Sequence, residues 1–361
     1  MTVDLDSQAP AFVFLTYSDV GSAAYNRAKY MGMELARRGF RVDYVVDRTS
    51  QNLANIESWQ PNSTHTHFVT RRPHLLGAYR RRGVLRRVCS TNSFVVQLNP
   101  NLKAFVTLIG MRVKLIGEWD EPPILRDDSR IELLIARFLH WWFLRKSTIK
   151  VSCSRYFQET QKDFAYIPHG YYLNDLPVEN IEIGDYAAYM GNLQKPWDHD
   201  LVFSGALEIK ERGLTPPIHI IGSGSEMSYW QKFCLDNNLN NIKFLGRLDD
   251  REMLKHLMEA RLLLMPMRDT ALNRSRCSSK LLAYAQAGRP VLAHRVGETT
   301  EILSSLMISI EPTAQIMGLV NDLLLDPSTN DKREVPDHRY SKRVDGFLDA
   351  LGGLNQIYRN R

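Results

Sequence analysis

Arg276-Cys-Ser-Ser-Lys-Leu-Leu-Ala-Tyr-Ala-Gln-Ala-Gly-Arg-Pro-Val-Leu-Ala293 packs a helix start, a helix, a stop and a buried strand into one run. Ser278 and Ser279 suit the first turn, where hydroxyl residues satisfy free backbone amides. Gly288 is the residue type that ends a helix in the left-handed conformation, and the apolar Val291-Leu-Ala293 reads as a strand covered on both faces. The same helix start makes an anion site: amides and hydroxyls of Ser278 and Ser279 face a ligand, and Lys280 adds a positive charge. The plain alternative is an ordinary capped helix with a surface lysine.

The strand and helix pattern continues to either side. Ala11–Tyr17 reads as a buried strand, Ser22 caps a helix running to Arg38 before Gly39, and Arg41–Val46 is the next strand. Further strands are expected at Ser93–Leu98, Val113–Gly117, Lys150–Ser152 and Ala165–Pro168, with a second series at Tyr186–Met190, Ile218–Ile221, Ile242–Leu245, Leu262–Met265 and Val291–Ala293. Such alternation predicts an α/β fold: two Rossmann-like, doubly wound parallel-sheet domains facing a cleft. The expected boundaries are 1–170 for the first domain, 171–185 for a linker, 186–330 for the second domain and 331–361 for a polar tail. The final helix of that tail, Val344–Tyr358, is expected to pack back on the first domain. In such sheets ligands bind beyond the carboxyl ends of the strands, so the loops after Thr16, Leu98 and Gly117 are places for chemistry.

A chain of 361 residues suits two domains. Its 44% hydrophobic and 24% charged residues are those of an ordinary globular protein, which excludes disordered and fibrous classes. The acidic start MTVDLDSQAP lacks a signal-peptide pattern, and Cys89, Cys153, Cys234 and Cys277 form no CxxC pair, so a reducing cytoplasm and no structural zinc are expected. Leu133–Leu144 is the most apolar segment, but it is short and carries Arg137 and His140, and it reads as a packed helix. Charge is uneven within the net +6: no acidic residue falls between Glu57 and Glu118, whereas Arg71, Arg72, Arg80, Arg81, Arg82, Arg86, Arg87, Lys103, Arg112 and Lys114 do. Such a block attracts an anionic membrane surface or a phosphorylated substrate. It lacks the interleaved aromatics of single-strand binders, so no nucleic acid is expected.

Two further loops carry chemistry. Ile220-Ile-Gly-Ser-Gly-Ser225 puts Gly222 and Gly224 between a strand and a helix, which suits either close approach to a ligand or a tight turn. Asn241–Glu252 is a strand, a glycine and a helix start, leaving the backbone of Arg247 and Leu248 at a strand end where a nucleobase can be read.

The order Tyr189–Lys195, Ile221–Gly224, Phe244–Arg247, Met265–Met267, Lys280–Tyr284, Ala287–Ala293 and Gly297–Glu301 resembles the nucleotide-binding half of two-Rossmann-domain (GT-B) glycosyltransferases of the large retaining family 4. The run from the serines to Tyr284 is also similar to inverting xanthan glucuronosyltransferases. The resemblance implies a metal-independent glycosyltransferase with no cofactor, using a nucleoside diphosphate sugar, UDP favoured, as donor. By the same resemblance Gly222 and Gly224 lie near the nucleotide, Arg247 and Leu248 at its base, and Ser278, Ser279 and Lys280 at the diphosphate. Tyr284 lines the same site and Lys195 neutralises the leaving phosphate. The chain departs from the retaining pattern at Ser275 and Ala283, which stand where that family has two glutamates, and at Asn192, which replaces an arginine.

In the first half, Lys114–Pro123 ends a strand in carboxylates, and Asp120 is the candidate general base for an inverting transfer, with Glu118 and Glu121 as rivals. Asp19-Val-Gly21 lies in the loop after the first strand, and Gly21 is the candidate substrate contact there. His169 in Pro168-His-Gly170 is either a cleft residue or a turn. The DxD triplet of Trp197-Asp-His-Asp200 sits at a helix start and reads as structural rather than metal-binding. The function expected is transfer of a hexosyl or uronosyl group to a saccharide or lipid-linked acceptor in polysaccharide or glycolipid synthesis, peripheral at the inner face of the membrane. The alternative is a non-catalytic, nucleotide-binding scaffold.

Overall fold

The computed structural model describes residues 10–17, 23–50, 52–53, 64–70, 74–120, 130–171, 181–195, 197–331 and 333–352. The chain divides into two compact units, Met1–Tyr172 with Arg339–Arg361, and Leu173–His338.

The first unit runs β1 (Ala11–Leu15), α1 (Ala23–Arg37), β2 (Arg41–Arg48), β3 (Thr64–Thr70), α2 (His74–Val88), β4 (Ser93–Leu98), α3 (Leu102–Leu108), β5 (Lys114–Trp119), α4 (Arg130–Lys146), β6 (Ile149–Ser152), α5 (Arg155–Thr160) and β7 (Phe164–Tyr166). Its seven strands lie in the order β3-β2-β1-β4-β5-β6-β7, and every ladder is parallel. Alternate residues of β1 enter two different cores. Phe12 and Phe14 pack with Tyr25, Phe40 and Tyr44, whereas Val13 and Leu15 pack with Leu85, Leu115, Trp119 and Phe143. With both faces covered, β1 must be apolar throughout, which is why it was legible as a strand.

The second unit runs β8 (Ala187–Met190), α6 (Asp200–Lys210), β9 (Ile218–Ile221), α7 (Met227–Asp236), β10 (Ile242–Gly246), α8 (Asp250–Glu259), β11 (Leu262–Met265), α9 (Ala271–Ser275), α10 (Ser279–Ala287), β12 (Val291–His294), α11 (Thr299–Leu303), β13 (Met307–Ile310) and α12 (Val320–Leu325). Its order is β10-β9-β8-β11-β12-β13, again all parallel. The last helix, α13 (Tyr340–Ala350), packs on α1 of the first unit. Arg38 there donates to Asp345 at 2.7 Å and to the Ser341 carbonyl at 2.6 Å, and Phe347 lies 5.8 Å from Phe12.

Two strands escape the sequence pattern. β3, Thr-His-Thr-His-Phe-Val-Thr, is a polar edge strand with one neighbour, and β13 is a four-residue edge strand with exposed Ser309. An edge strand needs no continuous apolar run. The α4 segment also differs from the reading of a packed helix: Leu139 and Phe143 face the core, but Ile131, Leu134, Ile135, Phe138 and Trp141 are exposed.

Arg27 of α1 fixes the first unit from inside. Fully buried, it makes a two-pronged bond to Glu118 at 3.1 and 3.2 Å and donates to the carbonyls of Ile167 at 3.0 Å and Pro168 at 3.2 Å. Replacing one partner leaves the other charge buried and unpaired, which typically costs about 3–5 kcal/mol. Arg27→Ala is therefore expected to destabilise the protein by about that amount in denaturant unfolding, whereas exposed Arg86→Ala is expected to leave stability unchanged.

Candidate functional site

In the second unit the sheet order reverses between β8 and β11, and the loops beyond their carboxyl ends carry the predicted residues. The loop after β8 and the loop after β9 are locked together: Gly191 N–H donates to Ile221 at 2.9 Å, Leu193 to Ser223 at 3.0 Å, and Glu226 to Leu193 at 2.9 Å. Gly222 has φ +131°, and a Cβ there would lie 2.0 Å from the Gly191 carbonyl; one at Gly224 would lie 2.3 Å from the Leu193 carbonyl. Both glycines are thus required by backbone packing of two loops, a reason visible without any ligand.

Helix α10 begins at Ser279 with Ser278 as its cap, and the Ser278 hydroxyl makes no capping bond to its own helix. The first turn has no acidic residue, and Leu281 N–H donates to the Ser278 carbonyl at 3.0 Å; a helix start of this kind suits an anion. Lys280 reaches from this turn toward β8, where its ammonium donates to the Tyr189 hydroxyl at 3.1 Å and lies 4.2 Å from the ring centroid. Burial, reinforced by the Arg276 cation and only partly offset by Asp198, brings Lys280 down to about 7. Arg276 itself stacks on Trp197 at 4.0 Å. Two cations and two aromatic rings therefore surround the helix start.

The other predicted residues are distributed as follows. Lys195 is exposed in the turn after β8; Arg247 is exposed and Leu248 half-buried after β10. Ala283 is half-buried, one turn along α10 from Lys280. Tyr284 is fully buried, and its hydroxyl donates to the Leu264 carbonyl at 3.0 Å while accepting from Met190 N–H at 2.9 Å. The expected substrate contact of Tyr284 is corrected on this point: with its hydroxyl so engaged, the side chain is an internal tie among α10, β8 and β11. The DxD carboxylates are engaged too. Arg268 bonds Asp198 at 3.0 Å and Asp200 at 2.6 and 2.8 Å, and Asn273 donates to Asp198 at 2.7 Å. No sequence spacing pointed to Arg268 or Tyr189, which reach these groups only through the fold.

In the first unit a pocket opens at the carboxyl ends of β1 and β4, lined by Leu15, Thr16, Tyr17, Gln97, Asn99 and Glu118 among others. This is again the point where strand order reverses. Glu118, a rival base, is consumed by Arg27. Asp120 accepts from, or shares a proton with, His169 Nε2 at 3.0 Å, and its backbone N–H donates to Asn99 at 2.9 Å. Burial works to raise the Asp120 carboxyl, but His169, Arg27 and Cys153 outweigh it and hold it below the usual aspartate value. The donor atoms of Asp120, Cys153 and His169 lie within 4.8 Å of one another, close enough to hold a metal ion, although buried Arg27 already supplies positive charge to Asp120. His169 also holds Arg343 of the final helix through its carbonyl at 3.1 Å. Asp19, Gly21 and Glu121 lie outside the described residues. Of the basic block, Arg71 and Arg72 also lie outside them, and Arg81 is buried, paired with Asp47 and stacked over Tyr17 at 4.5 Å. Arg80, Arg86, Arg87, Arg112 and Lys114 are exposed.

Residues 184–325 match the family model for glycosyl transferases group 1. The matched span holds Lys195, both glycines of the β9 loop, Arg247, Leu248 and the whole of α10; Asp120 lies outside it. No curated protein matches the sequence. Among solved structures, a TarM variant from S. aureus, solved with fondaparinux, α-GlcNAc-glycerol and UDP, is 9% identical with a TM-score of 0.70, over 97% of this chain and 99% of its own. HepE from Anabaena, solved with UDP and separately with UDP-glucose, is 13% identical in the UDP complex with a TM-score of 0.62, over 97% and 99%. UDP-GlcNAc 2-epimerase from Methanocaldococcus jannaschii is 13% identical with a TM-score of 0.58, over 95% and 99%. At such identities the likeness establishes the two-Rossmann-domain (GT-B) fold, which hosts more than one chemistry. The broader resemblance to such glycosyltransferases is the one supported; the narrower one to xanthan glucuronosyltransferases gains nothing from these matches.

A lysine brought to about 7 by burial and a neighbouring cation regains its proton when a diphosphate arrives. Nucleoside diphosphate binding above pH 7 is therefore expected to take up a proton and to weaken as pH rises. Calorimetry in buffers of different ionisation enthalpy checks this, and Lys280→Arg is expected to abolish the uptake.

Proposed function

We propose that this protein transfers a sugar from a nucleoside diphosphate sugar to an acceptor hydroxyl, without a metal ion. The observation that carries the reading is the α10 start: an uncapped helix N-terminus with Lys280 and Arg276 beside it, inside the segment that matches group 1 glycosyl transferases. Ser278 and Ser279 amides with Lys280 bind the diphosphate, and exposed Lys195 meets charge developing on the leaving phosphate. Stabilisation by prearranged cations and dipoles is the main catalytic contribution. The glycine loop of Gly222 and Gly224 and the backbone at Arg247 and Leu248 take the nucleoside, with UDP favoured because HepE and TarM structures contain it. Asp120, kept ionised and oriented by His169, removes the proton of the attacking hydroxyl in an inverting transfer. Gly21 is proposed as a further substrate contact.

The transferred group is a hexosyl or uronosyl unit, and the acceptor is a saccharide, lipid-linked, in polysaccharide or glycolipid synthesis. Its place is the cytoplasmic side of an anionic membrane, toward which the basic stretch from Arg71 to Lys114 draws the protein. A second reading, nucleotide binding without catalysis, is favoured by one observation: Ala283 stands where the resembled family has its ribose-holding glutamate.

Lys280→Ala is expected to abolish UDP binding in titration calorimetry, and Ala283→Glu to change it. Asp120→Asn is expected to retain UDP binding while transfer from a panel of UDP-sugars falls by roughly 10²–10⁴-fold, the usual worth of a general base. Failure of every nucleoside diphosphate to bind sinks both readings; binding with no donor turnover selects the second.

A further inference from the structure

Helix α4 is apolar on two faces. Its inner face sends Leu139 and Phe143 into the core, and His140 accepts from the Trp119 indole at 3.2 Å. Its outer face presents Ile131, Leu134, Ile135, Phe138 and Trp141 at 45–70% exposure. These positions recur at three- and four-residue intervals, so they form one continuous stripe. Helices with apolar residues on every side belong in a buried setting, and this one lies at a surface. Phe138 packs edge-on to Phe105 of α3 at 5.5 Å, and exposed Leu102 on α3 extends the apolar area.

Among the described residues the charges along the stripe are mainly positive. Exposed Arg130, Arg137 and Arg145 accompany it, Arg145 stacks on Trp141 at 5.1 Å, and Glu132 is the one acidic residue of the helix. Helices α2, α3 and α4 contact one another in series on the same face of the sheet, and α2 adds exposed Tyr79, Arg80 and Arg86. A two-fold contact between copies of this chain through the stripe would set these arginines against their own kind, with Glu132 the one acid of the helix to compensate. An apolar stripe with an aromatic at its edge and arginines able to reach outward fits the headgroup boundary of an anionic bilayer. No helix among the described residues is long and apolar enough to cross a membrane, so the contact is along the surface.

We propose that the outer face of α4 is a membrane-docking surface, lying in the headgroup region of an anionic leaflet with Leu134, Phe138 and Trp141 inserted and Arg130, Arg137 and Arg145 on lipid phosphates. This deepens the reading of a lipid-linked acceptor by naming the surface where that acceptor is met, and it rests on that reading only for its purpose.

The test uses the full chain and vesicles of phosphatidylcholine with and without phosphatidylglycerol. Co-sedimentation with the anionic vesicles is expected, weakening with salt, together with a blue shift of tryptophan emission that Trp141→Phe removes. Leu134→Ser with Phe138→Ser is expected to lower partitioning roughly tenfold or more, as fits the loss of two buried apolar side chains. Arg130→Glu with Arg137→Glu is expected to do the same while leaving the apolar side chains and the Arg145–Trp141 stack in place. Both double variants are expected to keep UDP binding. Equal partitioning of the wild type and both variants overturns the proposal, as does a wild-type dimer that the apolar variant splits while vesicles bind neither. Loss of UDP binding alone, with vesicle binding intact, counts against the donor site and leaves the docking face standing.

Discussion

A buried guanidinium sets the terms for the first unit. Arg27 is desolvated, and the cost of that is offset only if each of its donors finds an acceptor. The acceptors come from two places far apart in sequence: the Glu118 carboxylate at the end of β5, and the carbonyls of adjacent Ile167 and Pro168 after β7. Helix α1, a central strand and the last strand are therefore held to one register by a single side chain. The consequence passes directly to chemistry, because the residues following these anchors are Asp120 and His169, which bond to each other. The position of the candidate base is thus set by a buried ion pair.

The second unit solves the same problem with neutral groups. Tyr284 uses one hydroxyl to hold both β8 and β11, the two strands that flank the reversal of the sheet order. Gly222 and Gly224 let two loops meet backbone to backbone at distances no side chain would permit. The helix start at Ser279 then stands on a rigid base, as an electrostatic site must, since dipoles that reorient lose their advantage over water.

How much of this was legible depends on the range over which the physics acts. Strands buried on both faces announce themselves: every residue of β1 and β11 is apolar, and β12 is apolar up to buried His294, whose ring is hydrogen-bonded. The glycine of a helix stop is equally local, and Gly288 indeed has φ +68°. Edge strands β3 and β13 hide because half their surface meets no sheet neighbour. Partnerships hide most of all. Nothing near Asp198 in sequence foretells Arg268, and nothing in the Arg71–Lys114 block shows that Arg81 turns inward to Asp47 while its neighbours stay out. Tyr284 was a candidate for a pocket wall through the family resemblance; a buried phenol must satisfy its hydroxyl, and here the backbone does so.

Two cations of this protein, Arg27 and Lys280, have contrasting surroundings. Arg27 lies against a carboxylate and two carbonyls, so its charge is spent on holding the fold. Lys280 lies against a phenol ring and another cation, and Asp198, the acid that acts on it, is already bonded to Arg268 and Asn273. A fold gains nothing from placing an ammonium where its own proton is held loosely, since an apolar residue of similar length would fill the same space at lower cost. In the proposed reading an arriving anion compensates both cations and the dipole of the helix start together. These electrostatics are the ground for proposing the start of α10 as the diphosphate site.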